Sequence, residues 1–362
     1  MEKAKVYFTK NLTSESLIKL YKKANCHLEG KVAVKVHSGE EGNQNFLHPE
    51  YFKDIIDYVK GTVVECNTAY DGARNTTEKH EKLLKNHGWT KYFNVDLLDA
   101  EGPDLVLPIP NGKKIKENHV GKNIKNYDSM LVLSHFKGHP MGGYGGALKQ
   151  LSIGCASSYG KAYIHGVGVP ENLWTADHDS FLESMADAAS SVVKLFNNKI
   201  VYINVLANMS VDCDCCSVAE DPCMKDIGIL ASTDPVAIDQ ACIDLVYNSK
   251  DPGRDHLVER IESRNGLHTI DSAAKLNIGS KVFILTNGTN YTMPDITNWS
   301  RSEVETFAKL IKLDVLFDGY GYVTKYNFEK NSKIDLSKSL SVTLEKKYEE
   351  KEEDKTTIKK GS

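Results

Sequence analysis

One short segment, HFKGHPMGGYGGALK, carries the residue types best suited to chemistry. It contains His135, Lys137, His139 and Lys149, and we predict that these four side chains are catalytic. A histidine can transfer protons near neutral pH or bind a metal ion, and a lysine can neutralise an anionic ligand. The segment follows an apolar run typical of a strand. Its functional groups should therefore lie at a strand end, where open α/β sheets bind ligands.

The glycines of the same segment predict a site for a small anion. Gly142, Gly143, Gly145 and Gly146 would let a ligand approach the backbone, and N–H groups at the start of a following helix favour negative charge. Lys161, farther along the chain, could add positive charge. The spacing matches neither the dinucleotide-binding fingerprint nor the P-loop, so no nucleotide is implied. Tight turns alone also require glycine, and that interpretation stays open.

A second cluster, DCDCC, predicts a metal site. We predict that Cys213, Cys215 and Cys216 bind a metal ion, because thiolates are ligands for zinc, Cu(I) and the iron of iron–sulfur clusters. The spacing is neither a zinc-finger nor a ferredoxin pattern. Asp212 and Asp214 disfavour thiolate formation unless a cation is near. The alternative is therefore a set of buried, idle thiols.

Cys66 and His37 extend this metal set. Each ends an apolar, valine-rich run, TVVE and KVAVKV respectively, that we predict to be a strand. Parallel neighbouring strands would place both side chains at the edge of the sheet that carries His135. The alternative is that Cys66 packs as a small hydrophobic residue, as free cysteines often do.

Length, charge and cysteine content exclude several classes of protein. The chain has 362 residues, with 45 lysines and arginines against 49 aspartates and glutamates, so it lacks the basic character of a nucleic-acid-binding protein. No apolar run approaches the ~20 residues that a membrane span needs, and the first residues do not resemble a secretory signal. We therefore expect a cytoplasmic protein whose eight cysteines are free thiols.

Strands and helices that alternate through residue 286 must position these groups. Apolar runs rich in β-branched residues predict strands, and amphipathic stretches between them predict helices. This alternation is typical of an α/β fold with a mostly parallel sheet and helices on both faces. A stretch with three prolines, between Asp96 and Gly121, predicts a small β-rich excursion. The main predicted helices are Ser14–Ala24, His48–Lys60, Ala176–Phe196 and Pro235–Tyr247.

The character of the sequence changes after residue 287, and we expect three parts. Residues 1–288 form the α/β domain, and residues 291–345 form a small α+β domain. Residues 346–362 are charged and lack an apolar face, so we expect a disordered tail there. The small domain begins with a capped helix, Ser300–Lys312, and continues with strands.

Residues 3–286 resemble the family known as domain of unknown function 362, which includes iron–sulfur centre proteins. The resemblance implies an iron–sulfur cluster or a divalent metal ion as cofactor. Many members insert a ferredoxin module with four cysteines, and this chain lacks it, because no cysteine occurs between Lys161 and Phe181. The segments that carry the resemblance are VKVHSGEEGNQNFLHPEY, VVECNTAYDGARNTTEKH, LSHFKGHPMGGYGGALKQLSIGCASSYGK, DCDCC and DIGILASTDPVAIDQACIDLV.

Residues 291–345 resemble the PASTA module of penicillin-binding proteins and serine/threonine kinases. The segment MPDITNWSRSEVETFAKLIKLDVLFDGYGYV carries this likeness. The resemblance implies a protein or a cell-wall fragment as a partner for the module. A small accessory module is the simpler interpretation.

These features lead to three hypotheses about function. The first is a metal- or iron–sulfur-binding protein with redox or Lewis-acid chemistry on a small anionic ligand. The second is a metal-free isomerase or transferase in which histidines and lysines act alone. The third is a ligand-sensing or scaffold protein that acts through the PASTA-like module. The sequence identifies no substrate, and whether the protein is an enzyme stays open.

Overall fold

The computed structural model describes residues 3–24, 27–286, 291–336 and 338–346. These residues fall into two compact units, one formed by the described residues up to 286 and the other by those from 291 onwards. Each unit has a hydrophobic core of its own. Cys26, residues 287–290 and the expected tail beyond Lys346 lie outside the described residues.

The large unit alternates strands and helices along most of its length. Its strands are β1 (Ala4–Thr9), β2 (Val32–Lys35), β3 (Thr62–Glu65), β4 (Val95–Leu97), β5 (Leu105–Pro108), β6 (Glu117–Val120), β7 (Ser129–His135), β8 (Lys137–His139), β9 (Gly143–Gly145), β10 (Ile200–Leu206), β11 (Gly228–Ser232) and β12 (Phe283–Thr286). Its helices are α1 (Ser14–Lys23), α2 (Pro49–Val59), α3 (Thr77–Asn86), α4 (Trp89–Tyr92), α5 (Ala147–Ser152), α6 (Ser158–His165), α7 (His178–Leu195), α8 (Pro235–Tyr247), α9 (Arg254–Ser263) and α10 (Leu267–Lys275).

Eight of these strands form one sheet in the order β12-β1-β11-β10-β7-β2-β3-β4. The strands from β10 to β4 in this order are parallel neighbours, β12 is parallel to β1, and β11 runs antiparallel to β10 and β1. The predicted α/β fold with a mostly parallel sheet is therefore confirmed, with one reversed strand. A loop without a crossover helix joins β10 to β11, so the chain returns in the opposite direction.

Both faces of this sheet are buried. Along β7, Met130 and Val132 pack in one core cluster with residues of α5, α7 and α8. Leu131 and Leu133 pack in another cluster with residues of α1 and α2. Burial on both faces accounts for the near-continuous apolar runs that predicted the strands. No helix in the part of the chain that the structure describes is long and apolar enough to cross a membrane.

Two small hairpins extend the large unit. β5 pairs antiparallel with β6 within the proline-containing stretch, which confirms the predicted β-rich excursion. β8 pairs antiparallel with β9. The segment HFKGHPMGGYGGALK therefore forms a hairpin between the end of β7 and the start of α5. The hairpin starts at the carboxyl edge of the sheet because β7 ends at His135.

The small unit contains a helix and a three-stranded sheet. α11 (Arg301–Ile311) is followed by β13 (Val315–Gly319), β14 (Tyr322–Tyr326) and β15 (Leu340–Glu345), and the sheet order is β13-β15-β14. Ser300 and Glu303 form a capping box at the start of α11, each side chain accepting the backbone N–H of the other. The predicted capped helix and following strands are confirmed, and the likeness to a PASTA module stays a prediction.

Candidate metal and anion site

The carboxyl ends of β10, β7, β2 and β3 lie side by side, and a cavity of about 320 Å³ opens at this edge of the sheet. His37 follows β2, Cys66 follows β3, His135 ends β7, and the loop after β10 supplies Cys215 and Cys216. Ligands of open α/β sheets bind at the same edge. The topology thus brings together residues that are far apart in the sequence.

The loop between β10 and β11 carries the cysteines, and neighbouring segments hold it. Asn43, in the loop after β2, donates its side-chain N–H to the Cys216 carbonyl at 2.9 Å. The Tyr70 hydroxyl donates to the Cys215 carbonyl at 3.3 Å. These bonds position the backbone of the cysteine loop in the absence of any regular secondary structure there.

Asp214 anchors the same loop through its charge. Its buried side chain accepts hydrogen bonds from Lys137 Nζ at 2.8 Å and from His135 Nδ1 at 3.0 Å. Although burial alone would raise it, His135 and Lys137 hold the pKa of this carboxyl well below its ordinary value. His135 Nε2 donates to the Ala207 carbonyl at 2.6 Å. His135 and Lys137, both predicted to be catalytic, thus bind the cysteine loop in this structure.

Three side chains could together hold a metal ion. The ligand atoms of His139, Cys213 and Cys215 all lie within 4.8 Å of one another, with the first two residues buried and Cys215 partly exposed. The His139 Nε2 to Cys215 Sγ distance is 3.8 Å. Imidazole and thiolate are the donors that zinc and related ions prefer in proteins.

Hydrogen bonds fix the orientation of the two histidine rings beside the thiols. His139 Nδ1 accepts the N–H groups of Met141 at 3.2 Å and Gly142 at 2.8 Å. His37 Nδ1 accepts the N–H of Gly39 at 3.0 Å. Because Nδ1 is an acceptor in both rings, the proton of each neutral ring lies on Nε2.

Burial keeps both of these rings neutral. It lowers the pKa of His139 and of His37 to about 4, and the charges of Lys149 and Arg74, respectively, act in the same direction. Each ring is also hydrogen-bonded to the Cys213 thiol, which opposes this shift. The two imidazoles therefore face Cys213 as N–H donors.

Opposing influences act on the Cys213 thiol itself. Its hydrogen bond with Cys215 and its burial both raise its pKa, whereas Lys149 and Lys137 lower it, and the net shift is downward. Lys149 and Lys137 therefore supply the nearby positive charge that a thiolate needs beside Asp212 and Asp214. Cys213 combines burial with a bias towards the charged form.

The cavity has an excess of positive charge. Five cationic side chains line it, and three of them pair with carboxylates. The other two, Lys149 and Lys161, form no ion pair within the described residues, although Lys161 donates to the Ala156 carbonyl at 2.6 Å. This excess suits an anionic ligand. The three pairs are Lys35–Glu65 at 2.9 Å, Lys137–Asp214 at 2.8 Å and Arg74–Glu40 at 3.0 Å.

A carboxylate of the protein occupies the helix N-terminus that was expected to face a ligand. Asp239, on α8, accepts the N–H groups of Ala147 and Leu148 at 2.8 and 2.9 Å. A Cβ atom at Gly146 would lie 2.4 Å from the Asp239 carboxylate, so this glycine makes room for that carboxylate. An external anion would therefore meet lysine side chains instead of these N–H groups.

Several predicted residues lie apart from the three metal donors. Cys66 lines the cavity, but its thiol donates to the Cys155 carbonyl at 3.5 Å. Cys216 also lines the cavity and is not a member of the donor group. Gly142 lies in the turn of the β8–β9 hairpin and Gly143 begins β9, where its φ of +77° favours glycine.

Several residues of the cavity wall were not predicted from the sequence, including Lys35, Glu65, His165 and Trp174. Lys35 and Glu65 each place a charge at the end of an apolar strand, and because a buried charge needs a partner, these two charges could have been recognised as a pair. His165 looked like an ordinary polar residue with its hydrogen bonds satisfied, whereas its Nδ1 is buried and has no hydrogen-bond partner among the described residues. Trp174, 65% exposed in the loop before α7, likewise gave no sequence signal.

Two solved structures resemble the chain distantly. It is similar to the lactate racemase apoprotein from Thermoanaerobacterium thermosaccharolyticum, with 13% identity and a TM-score of 0.43, over 68% of this chain and 58% of that chain. A protein from Thermotoga maritima is 12% identical with a TM-score of 0.37, over 74% of this chain and 60% of that one. The chain thus spans less than two thirds of either protein. No curated protein matches it.

The sequence also matches a family model, described as domain of unknown function (DUF362), over residues 32–244. This range covers more than half of the chain and begins with β2 and ends within α8. It contains His139, Cys213 and Cys215. The chain therefore belongs to the domain of unknown function 362 family.

Proposed function

We propose that the protein binds a single metal ion through His139, Cys213 and Cys215 and acts on a small organic anion held by Lys149. The convergence of one imidazole and two thiols within 4.8 Å at a cationic cavity carries this proposal. Three protein donors leave one position of a four-coordinate ion for a ligand, as in catalytic zinc sites. A bound ion would supply Lewis-acid chemistry, while the lysines bind and orient the anion.

A single ion suits this donor set better than an iron–sulfur cluster does. Ligand atoms at about 2.3 Å from one tetrahedral ion lie roughly 3.8 Å from one another. The 3.8 Å between His139 Nε2 and Cys215 Sγ is of this size. Iron–sulfur clusters ordinarily take four cysteine ligands, whereas the described residues bring two thiols to this group. Of the two cofactors that the family resemblance implies, we therefore propose the divalent metal ion and not the iron–sulfur cluster.

Metal binding at His139 carries one condition. Ligating histidines ordinarily donate the N–H of their other ring nitrogen to an acceptor. His139 Nδ1 instead accepts two backbone N–H groups, so the ring proton lies on Nε2. A cation can bind Nε2 only if this proton is lost, which leaves an imidazolate, or moves to Nδ1, which breaks those two hydrogen bonds. The two thiolates should therefore contribute most of the affinity for the ion.

Metal analysis of anaerobically purified protein tests the proposal. We expect about one ion per wild-type chain and its loss in Cys213→Ser and Cys215→Ser, because each variant lacks a thiolate donor. Cobalt(II) substitution should produce sulfur-to-cobalt charge-transfer absorption in the wild type that both variants lack. Cys223→Ser is the matched control, because Cys223 lies in the same loop but its thiol donates to the Met209 carbonyl, outside the donor group.

Two results would contradict the metal site. One is wild-type protein that takes up no stoichiometric ion after anaerobic reconstitution with zinc, iron or cobalt. The other is a Cys215→Ser variant that keeps the ion and the cobalt spectrum. Circular dichroism of each variant separates loss of the ion from loss of the fold.

One observation favours a second candidate, a metal-free isomerase or transferase. His37 and His139 both direct an N–H towards Cys213, and such donors stabilise a thiolate nucleophile. In this case chelators would leave the protein unchanged. Iodoacetamide would alkylate Cys213 or Cys215 rapidly in metal-free protein, and a His139→Ala variant would react more slowly. Slow alkylation of the wild type would remove this candidate.

A further inference from the structure

We infer that the ligand of the cavity is an organic anion with an apolar tail, whose charged end binds Lys149 and whose tail lies against Trp174. The inference rests on the anion part of the proposed function and specifies the class of ligand. It does not depend on the identity of a metal ion.

Lys149 is the cation best placed to hold the charged end. It is partly exposed in the cavity wall and has neither an ion pair nor a hydrogen bond within the described residues. Three other cations of the wall are neutralised by buried carboxylates. Lys149 lines the cavity together with His139 and His165, and its charge lowers the pKa of both rings. An ammonium group that lies in a cavity without a partner is stabilised when an anion binds beside it.

His165 offers a second polar group without a partner. It lines the same cavity, and its Nδ1 atom is buried with no hydrogen-bond partner in the described part of the chain. Burial, with the charges of Lys149 and Lys161, lowers the pKa of His165 to about 3, so the ring is neutral. Buried ring nitrogens are rarely left unpaired. An oxygen of a bound anion could pair with this one.

Much of the rest of the wall is apolar. Met141, Ile153 and Leu173 line it, and Trp174 exposes 65% of its surface. Ile153 follows Lys149 by four residues and keeps helical backbone angles just after α5, so both side chains lie on one face. Charge and apolar surface therefore adjoin along a single helix. A tryptophan left exposed beside a cavity is a surface that an apolar group can cover.

The size and the apolar wall of the cavity indicate a ligand larger than a bare inorganic anion. About 320 Å³ lies at the small end of the range of sites that bind organic molecules. A phosphate or a carbonate would engage Lys149 but leave the apolar wall in contact with water. An aliphatic or aromatic tail would remove that wall from water, which is favourable. The chemistry of the wall therefore favours a small carboxylate with an apolar tail.

Calorimetric titration of the full chain with acetate, hexanoate, acetamide and hexanamide separates the charged end from the tail. We expect hexanoate to bind at least about tenfold more tightly than acetate, because each buried methylene group contributes a factor of about four. We also expect hexanoate to bind at least about tenfold more tightly than hexanamide, which lacks the charge. Each titration is done on chelator-treated and on metal-loaded protein.

Variants test whether Trp174 causes the preference for hexanoate over acetate and whether Lys149 causes the preference for hexanoate over hexanamide. Trp174→Ala should reduce the hexanoate-to-acetate affinity ratio about tenfold and leave acetate binding unchanged. Lys149→Met should abolish the preference for hexanoate over hexanamide, and Lys149→Arg should retain it. Val218→Ala is the matched control, because Val218 is 86% exposed and does not line the cavity. Hexanoate should also change the tryptophan fluorescence of the wild type but not that of Trp174→Phe.

The outcomes distinguish this inference from the proposed function. Hexanoate that binds no more tightly than acetate, or a ratio that survives Trp174→Ala, overturns the inference and leaves anion binding intact. Absence of binding by any probe, to chelator-treated and metal-loaded protein alike, overturns both. A hexanoate preference in protein that takes up no metal supports the inference and removes the metal part of the proposed function.

Discussion

Ion pairs at the cavity of the large unit differ in burial from the ion pairs of the small unit. In the large unit, the three ion pairs at the cavity have side chains that are at most 6% exposed. In the small unit, the pairs Arg301–Glu305 and Lys330–Asp295 keep 44 to 58% of their side-chain surface in water. Exposed pairs contribute little to stability, and removal of one partner from a buried pair is strongly destabilising.

This difference indicates what the buried pairs do. Replacing a buried ion pair by apolar side chains is often neutral or stabilising, so stability alone does not explain three such pairs around one cavity. Buried charges with shifted pKa values concentrate at functional sites. The pairs of the small unit are those of an ordinary protein surface. The comparison therefore supports the placement of function at the carboxyl edge of the large sheet.

The largest effect should come from Asp214→Asn. This change removes the negative charge that Lys137 and His135 face at 2.8 and 3.0 Å and leaves buried positive charge without a partner. We expect the free energy of unfolding of the large unit to fall by about 3–5 kcal/mol. We also expect the cysteine loop to lose its fixed position. Urea unfolding followed by the fluorescence of buried Trp89 measures the first effect, and alkylation of the thiols measures the second.

Asp212→Asn is the matched control for this prediction. Asp212 lies in the same loop and pairs with Arg260, but both of these side chains are partly exposed, at 29% and 20%. The free energy of unfolding should therefore fall by only about 1 kcal/mol. Equal losses in the two variants would show that the charge of Asp214 has no special role.

An intermediate effect is expected at Glu183, where a buried carboxylate has an exposed partner. Its side chain is 5% exposed and contacts Lys113, which is 60% exposed, and His268 at 2.9 Å. Burial opposes ionisation, but the hydrogen bonds from Lys113 and His268 leave the pKa of Glu183 lower than usual. Glu183→Gln should therefore reduce the free energy of unfolding at pH 7 by about 1–2 kcal/mol.

The pH dependence of this loss provides the test. The folded-state pKa of Glu183 is below its unfolded value of about 4.3, so the stability it contributes is present above that pH and is lost as the pH falls through the folded-state value. The difference between wild type and Glu183→Gln should shrink when urea unfolding is repeated near pH 3. If the difference in free energy of unfolding were the same at pH 7 and near pH 3, the charge of Glu183 would not be its cause.

Local sequence signals predicted that the site lies at the carboxyl edge of the large sheet, but they did not predict the ion pairs at that edge. Apolar runs ending at His37, Cys66 and His135 indicated parallel strands with polar groups at their ends, and the sheet order confirms that these strands are neighbours. The reversed direction of β11 was missed, because a buried strand is apolar on both faces whichever way it runs. Strand direction depends on the connection, which composition does not reveal.

Contacts between distant residues were the second gap. The helix N-terminus at Ala147 looked free for a ligand, yet Asp239, 92 residues away, accepts its N–H group. Which carboxylate meets which donor depends on how α8 packs beside α5, and one sequence does not contain that information. His139 was predicted to do chemistry from its segment alone, whereas its grouping with Cys213 and Cys215 emerged only from the folded chain.

The smallest effect should come from Glu305→Gln in α11. Glu305 and Arg301 are one helical turn apart with side chains more than half exposed, and glutamine preserves helix propensity. Such pairs contribute about 0.3–0.5 kcal/mol, so amide exchange in α11 should accelerate only about twofold. The effect should disappear in 1 M salt, where screening acts within about 3 Å. A loss as large as that of Asp214→Asn would show that exposure does not distinguish the pairs at the cavity from those of the small unit, and the argument from buried pairs to function would fail.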